Sequence, residues 1–290
     1  MPLRNLVLAG GEFRTMSYLP LIEYLEKEGH LATIQNYYVT SAGIFFAIIL
    51  SIGCSYKEIH DFMTTIDFST LMNIDPASFL FLHTKFGVDD GEKIIKLCSK
   101  ILELRLGSPD ITFAEHQRIT GKTITATGTN LAKLGLEIFS PAISPTMRII
   151  DAVRITTSIP FYFFPARYNG ALYVDGGITN NFPIDLVPPR ELNQTIGALV
   201  ITPMAHSIET ASDYMNAIYQ CSIMNNDRAK STKYAYNTVV VNIRRRNPLA
   251  IMEKPEILLE IIEEGREALT NWLTTHGEKW RENLEISLEE

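Results

Sequence analysis

YYVTSAGIFFAIIL, residues 37–50, passes from an aromatic and β-branched run into an apolar one through Thr40, Ser41, Ala42 and Gly43. The first part has the composition of a strand. The second, apolar on every side, suits a helix buried in a sizeable domain. Ser41 stands at the junction, where its hydroxyl has two uses. It can cap the start of the helix, or it can stand out as a nucleophile on a sharp strand-to-helix elbow. The rest of the chain separates the two.

Outward from this junction, NLVLA (5–9) reads as a short buried strand that ends at Gly10 and Gly11. Leu19, Ile22 and Leu25 then recur at helical spacing, with Gly29 placed to stop the helix. NYYVT (36–40) is the next strand and 42–50 the next helix. Ser55 with Glu58, and Thr112 with Glu115, have capping-box spacing at two further helix starts. KTITATG (122–128), LYVDGG (172–177), GALVIT (197–202) and TVVVNI (238–243) read as strands. Residues 255–289 read as helix, with Ile257, Ile261, Leu269, Trp272 and Leu273 on or near one stripe. Strands separated by helices, several of them unbroken apolar runs, predict an α/β architecture around a mostly parallel sheet. No Gly/Pro/Ser-rich linker divides residues 1–290, so one domain is expected.

Composition narrows the function. With 46% hydrophobic and 20% charged residues, the chain reads as an ordinary globular protein. A net charge of −7 argues against general nucleic-acid binding, which favours a basic surface. MPLRNLVLAGG has too short an apolar stretch to read as a signal peptide. IFFAIIL (44–50) and FLFL (79–82) fall far below the length that spans a bilayer. Cys54, Cys98 and Cys221 form no CxxC pair and read as reduced, buried thiols. The expected location is cytoplasmic, with any membrane met from its surface. No clustered His/Cys/Asp spacing points to a metal, and no cofactor is expected.

In open α/β sheets, sites gather at the carboxyl ends of strands. Three such ends carry unusual residues: LAGGEFRT (8–15), VTSAG (39–43) around Ser41, and YVDGG (173–177), where Asp175 meets Gly176 and Gly177. Singly, each has an ordinary reading as a turn or a cap. Together, in this order, they point to one site. The six histidines (His30, His60, His83, His116, His206, His276) are scattered, and none sits in a motif resembling a hydrolase histidine, so a Ser-His-Asp triad is the weaker reading. His116 is expected on a helix surface.

The sequence resembles the patatin-like phospholipases, whose motifs are a glycine-rich loop, Gly-x-Ser-x-Gly and Asp-Gly-Gly. FGVDDGEKIIKL (86–97), TFAEHQRITGKTITATGTNL (112–131), RITTSIPFYFFPA (154–166) and YVDGGITNNFPI (173–184) look like further blocks in family order, and 5 to about 205 is covered. The resemblance implies a three-layer α/β/α sandwich and a Ser–Asp dyad, with Ser41 as nucleophile and Asp175 as the base that takes its proton. A serine hydroxyl is a poor nucleophile until an adjacent base does so. It implies further that Gly10, Gly11, Glu12, Phe13 and Arg14 form the oxyanion loop, that Val39 and Gly43 flank the elbow, and that Gly176 and Gly177 bend the chain so that Asp175 points at Ser41.

Three positions depart from the family pattern. Glu12 and Thr15 replace the third and last loop glycines, and Val39 replaces the first glycine of the serine motif. Glycine tolerates positive φ, which costs other residues roughly 1–3 kcal/mol, and a lost oxyanion donor costs about 10²–10³ in rate. Two outcomes are open: a working acyl hydrolase, or a weakened or inactive relative that binds lipid or a protein partner. The resemblance implies phospholipid or other acyl-lipid substrates and transient membrane contact. DFMTTIDFSTLMNIDPASFLFLHTKFG (61–87) lines an acyl channel, covers it, or is ordinary core. RRR (244–246) reads as a solvated turn or a headgroup contact.

Overall fold

The apolar runs become the middle strands of one sheet. The computed structural model describes residues 2–74, 76–201, 208–244 and 255–286. In chain order, β1 (Asn5–Leu8) leads through a 3-10 turn at Glu12–Tyr18 into α1 (Leu19–Lys27), then β2 (Asn36–Val39) and α2 (Gly43–Ser51). Helices α3 (Tyr56–Thr65), α4 (Leu82–Lys85), α5 (Glu92–Leu106) and α6 (Phe113–Thr120) precede β3 (Thr123–Asn130) and β4 (Gly135–Phe139). Then come α7 (Ile149–Thr156), β5 (Ala166–Tyr168), β6 (Ala171–Asp175), α8 (Gly177–Asn180) and β7 (Thr195–Ile201). The last elements are α9 (Ala211–Lys233), β8 (Thr238–Asn242) and α10 (Pro255–Ile286).

Hydrogen bonds run along the path β5–β6–β3–β2–β1–β7–β8, with β4 also on β3. The pairings among β3, β2, β1, β7 and β8 are parallel, and those that bring in β4, β5 and β6 are antiparallel. The sheet is therefore mixed and mostly parallel. Alternation along β1 puts Leu6 and Leu8 into the main core with Leu19, Ile22 and Phe46. Val7 and Ala9 face the other way, onto Phe182, Ile184 and Leu199. Both faces are covered, as the expected layering requires.

One register decides where the site forms. Along one edge of β3, Ala126 to Asn130 pair with β4. The other edge is shared, with Val39 of β2 opposite Ala126 and Asp175 of β6 opposite Gly128. Because β2 runs parallel to β3 and β6 antiparallel, the two strands meet carboxyl end to carboxyl end.

Both capping boxes form, with the Ser55 and Thr112 hydroxyls accepting from the Glu58 and Glu115 amides. His116 is not on the surface. It is fully buried on the inward stripe of α6 beside Phe113, its Nε2 is 2.9 Å from Ser51 Oγ, and burial pushes its pKa down to about 4, so it is neutral. The thiols also differ from expectation: all three are free, but only Cys98 is buried, while Cys54 is half-buried and Cys221 exposed. Arg244 pairs with Glu267, whereas Arg245 and Arg246, like His206, lie outside the described residues. Among the described residues no helix is long and apolar enough to cross a membrane.

Helix α10 packs on the 12–18 turn through Gly265, where an added Cβ would lie 2.1 Å from the Ser17 carbonyl oxygen. In an open helix Gly→Ala gains about 1 kcal/mol. Here the backbone contact reverses the sign. Gly265→Ala should lower the melting temperature, by the equivalent of about 1–3 kcal/mol of overpacking; a raised melting temperature in calorimetry would contradict the contact.

Candidate active site

Ser41 follows β2 by two residues and takes a left-handed φ of 50°, so the chain turns sharply before α2 begins at Gly43. An added Cβ on Gly43 would sit 2.4 Å from the Leu8 carbonyl oxygen, and only glycine fits the turn. The Ser41 amide donates to Thr156 Oγ1 at the end of α7 (2.8 Å). The hydroxyl does not cap α2, which has no side-chain cap; it donates to Asp175 Oδ2 at 2.6 Å.

Asp175 is the last residue of β6 and has no exposed surface. Its amide donates to the Ser158 carbonyl (2.8 Å) and its carbonyl accepts from Thr129 Oγ1 (2.8 Å), which fixes the backbone on both sides. Oδ1 accepts from the Gly177 amide at 2.7 Å. Gly176 has an ordinary φ of −61°; it is needed for space, because a Cβ there would fall 2.2 Å from Thr127 Oγ1. Burial, the largest influence, pushes the Asp175 carboxyl up to about 7. Hydrogen bonds from Ser41 and the Gly177 amide pull it down, the Glu12 carboxylate pushes it up, and hydrogen bonding by the Tyr219 hydroxyl pulls it down again.

The loop after β1 lies beside this pair. The Gly10 amide donates to the Asn181 carbonyl (3.3 Å), and the Gly11 carbonyl accepts from the Arg14 amide (3.0 Å). Of the three departures from the glycine pattern, only Glu12 has a left-handed backbone, with φ 54°. Val39 is a buried strand residue, and Thr15 lies within the 3-10 turn and donates from Oγ1 to the Glu12 carbonyl (2.7 Å). The turn thus takes a glycine-like shape at position 12 with a carboxylate attached. That carboxylate meets Arg14 Nη1 at 3.0 Å, both side chains being at most 7% exposed.

Two cavities meet at Ser41 and Glu12, which line both. The larger, of about 130 Å³, is apolar and includes Phe13, Phe45, Phe46, Cys98 and Phe163. The segment 61–87 contributes Phe62, Met63, Leu71 and Met72 to its wall, and Met63 and Met72 are core residues as well. The smaller, of about 30 Å³, is polar and includes Gly10, Gly11, Arg14, Asn181 and Tyr219. No histidine lines either one. Thr156, Asn181 and Tyr219 did not stand out as site residues in the sequence. The first two lie within quoted blocks; Tyr219 lies in a stretch without a motif.

The patatin-like phospholipase family model matches residues 6–188. Over 183 residues the chain is 31% identical to the probable lipid hydrolase 463L of invertebrate iridescent virus 6, covering 63% of this chain and 62% of that protein. It is 33% identical over 200 residues to the uncharacterized protein R571 of Acanthamoeba polyphaga mimivirus, covering 67% and 64%. The matches thus span less than two thirds of the length of either relative. The crystal structure of VipD from Legionella pneumophila superposes with a TM-score of 0.63 at 18% identity, covering 95% of this chain and 67% of that one, a likeness of fold. The match over 6–188, more than half of the sequence, and the sheet that carries Ser41 and Asp175 agree: the chain belongs to the patatin-like phospholipase family.

Proposed function

We propose that the chain is a serine acyl hydrolase of lipid esters, of phospholipase A or lysophospholipase type, with Ser41 as nucleophile and Asp175 as general base. The observation that carries the reading is the 2.6 Å hydrogen bond from Ser41 Oγ to Asp175 Oδ2 at the wall of an apolar cavity. Asp175 takes the hydroxyl proton as Oγ bonds to the ester carbonyl carbon. The carbonyl electron pair moves onto oxygen, where the backbone N–H groups of Gly11 and Glu12 and the N-terminal end of α2 stabilise it. Collapse breaks the ester C–O bond, and the leaving alcohol takes the proton back from Asp175. Water then attacks the acyl-Ser41 ester with Asp175 again as base, freeing the acid and restoring the hydroxyl.

The apolar cavity suits the acyl chain, and the polar one suits the alcohol. Exposed Phe86 and Phe161 lie on segments joined through hydrogen bonds from the Val88 and Asp89 amides to the Tyr162 carbonyl, and support transient contact with a lipid surface. Pairing with Arg14 offsets the Glu12 charge that would otherwise oppose an oxyanion.

Ser41→Ala and Asp175→Asn should each remove hydrolysis of a short-chain nitrophenyl ester and of lysophospholipid, and a fluorophosphonate should label the wild type at Ser41. Lipid binding without labelling would favour a non-catalytic relative. Since the base must be ionised, kcat/KM should fall on acidification through about pH 7.

The same displacement makes a stability prediction. Between the ordinary 3.8 and about 7 the folded state binds the extra proton, so stability is lost as pH rises through that window. Each unit corresponds to about 1.4 kcal/mol. Asp175→Asn should therefore stabilise the fold more at about pH 8 than at about pH 5; equal gains at both would contradict the raised carboxyl. Because the loop already holds a positive φ at Glu12, Glu12→Gly/Thr15→Gly should leave kcat level or lower; a rise of about tenfold or more would mean that the native turn is misformed.

A further inference from the structure

Tyr219 comes from α9, beyond the segment that the family model matches. Its hydroxyl stands 3.1 Å from the point where a Gly177 Cβ would be, and Asp175 Oδ1 stands 3.0 Å from the same point. Tyr219 also lines the polar cavity with Ser41 and Asn181. Its ring packs against the apolar cluster of Met72, Ile159 and Phe163. We propose that Tyr219 is a positioning residue for Asp175, completing the Ser41–Asp175 pair by holding the carboxylate and favouring its charged form. The proposal rests on the hydrolase reading above and adds a residue to it.

The helix is built to hold Tyr219 there. Tyr219, Ile223, Asp227 and Lys230 follow the spacing of one helix face. Asp227 Oδ2 accepts from Asn181 Nδ2 at 2.7 Å. Lys230 Nζ donates to Asn180 Oδ1 (2.6 Å), to the Phe182 carbonyl (3.0 Å) and to Asp185 Oδ1 (2.6 Å). Asp227 and Lys230, one turn of α9, thus clamp the segment that follows Asp175, and Tyr219 lies about two turns nearer the N-terminus on the same face.

The charges around Asp175 oppose one another. From the 12–18 turn Glu12 disfavours its charge, and Arg14 is paired to Glu12. From α9 the Tyr219 hydroxyl favours it, while Asp227 acts on Tyr219. Arg154 of α7 is biased instead toward Asp89 and Asp90. Burial and the Asp175 charge keep the phenol protonated, so it serves as a donor.

The test is the pH profile of kcat/KM for a soluble nitrophenyl ester. Tyr219→Phe should move the acid limb up by about one unit, lowering kcat/KM about tenfold near pH 6 and little near pH 9. Glu12→Gln should move the limb the other way. Difluorotyrosine at position 219, a stronger donor of nearly the same shape, should also move it down and covers the case in which Tyr219→Phe folds poorly. A limb that stays in place in Tyr219→Phe or in the fluorinated protein, whatever the change in rate, overturns the proposal. A wild type without hydrolysis overturns the hydrolase reading instead.

Discussion

Strand β3 gives one of its edges to two partners that arrive from opposite directions. Val39 opposite Ala126 and Asp175 opposite Gly128 leave one residue of β3, Thr127, between the ends of β2 and β6. A slip of one residue in either pairing would turn the side chains to the other face. The join is tied in place by hydroxyls: Thr40 and Thr127 share a 2.6 Å hydrogen bond, and Thr129 holds the Asp175 carbonyl. Thr156 of α7 accepts a hydrogen bond from the Ser41 amide. The elbow, the carboxylate and the cavity walls all follow from that meeting of strand ends.

Placing a carboxylate in such a join is costly, because burial penalises its charged form. Hydrogen bonds from Ser41 and the Gly177 amide offset part of the cost, the Tyr219 hydroxyl also favours the charged form, and the carboxyl is left displaced up to about 7. In the proposed hydrolase, a base poised there exchanges a proton with a serine and an alcohol at physiological pH. Glu12 works against that charge and Tyr219 for it, so the loop carboxylate and helix α9 are opposed influences on one proton.

Much of the fold was legible in the sequence because its signals are local. The runs at 5–8, 36–39 and 197–201 mark strands in the middle of the sheet, and two capping boxes mark two helix starts. Ser41 and Asp175 stood out because each sits at a strand end with glycine within two residues. Other features depend on distant packing. Antiparallel β4, β5 and β6 look no different from parallel strands in a short run. His116 was misread because Ser51, 65 residues away, supplies its polar partner inside the core. The face of α9 that reaches the site carries Tyr, Ile, Asp and Lys, a mixture with no apolar stripe to reveal it. Whether Glu12 would disturb the loop depended on Arg14 two residues later, and on a turn shape that only the fold supplies.

The central claim is that the buried Asp175 carboxylate is held by Ser41 and titrates far above an ordinary aspartate. A ¹³C titration of the carboxyl carbon, assigned by difference from Asp175→Asn, measures this directly. The account predicts a midpoint near 7 that moves higher in Ser41→Ala, where a hydrogen bond that favours the charged form is lost. A midpoint close to 3.8, unchanged by Ser41→Ala, would contradict it.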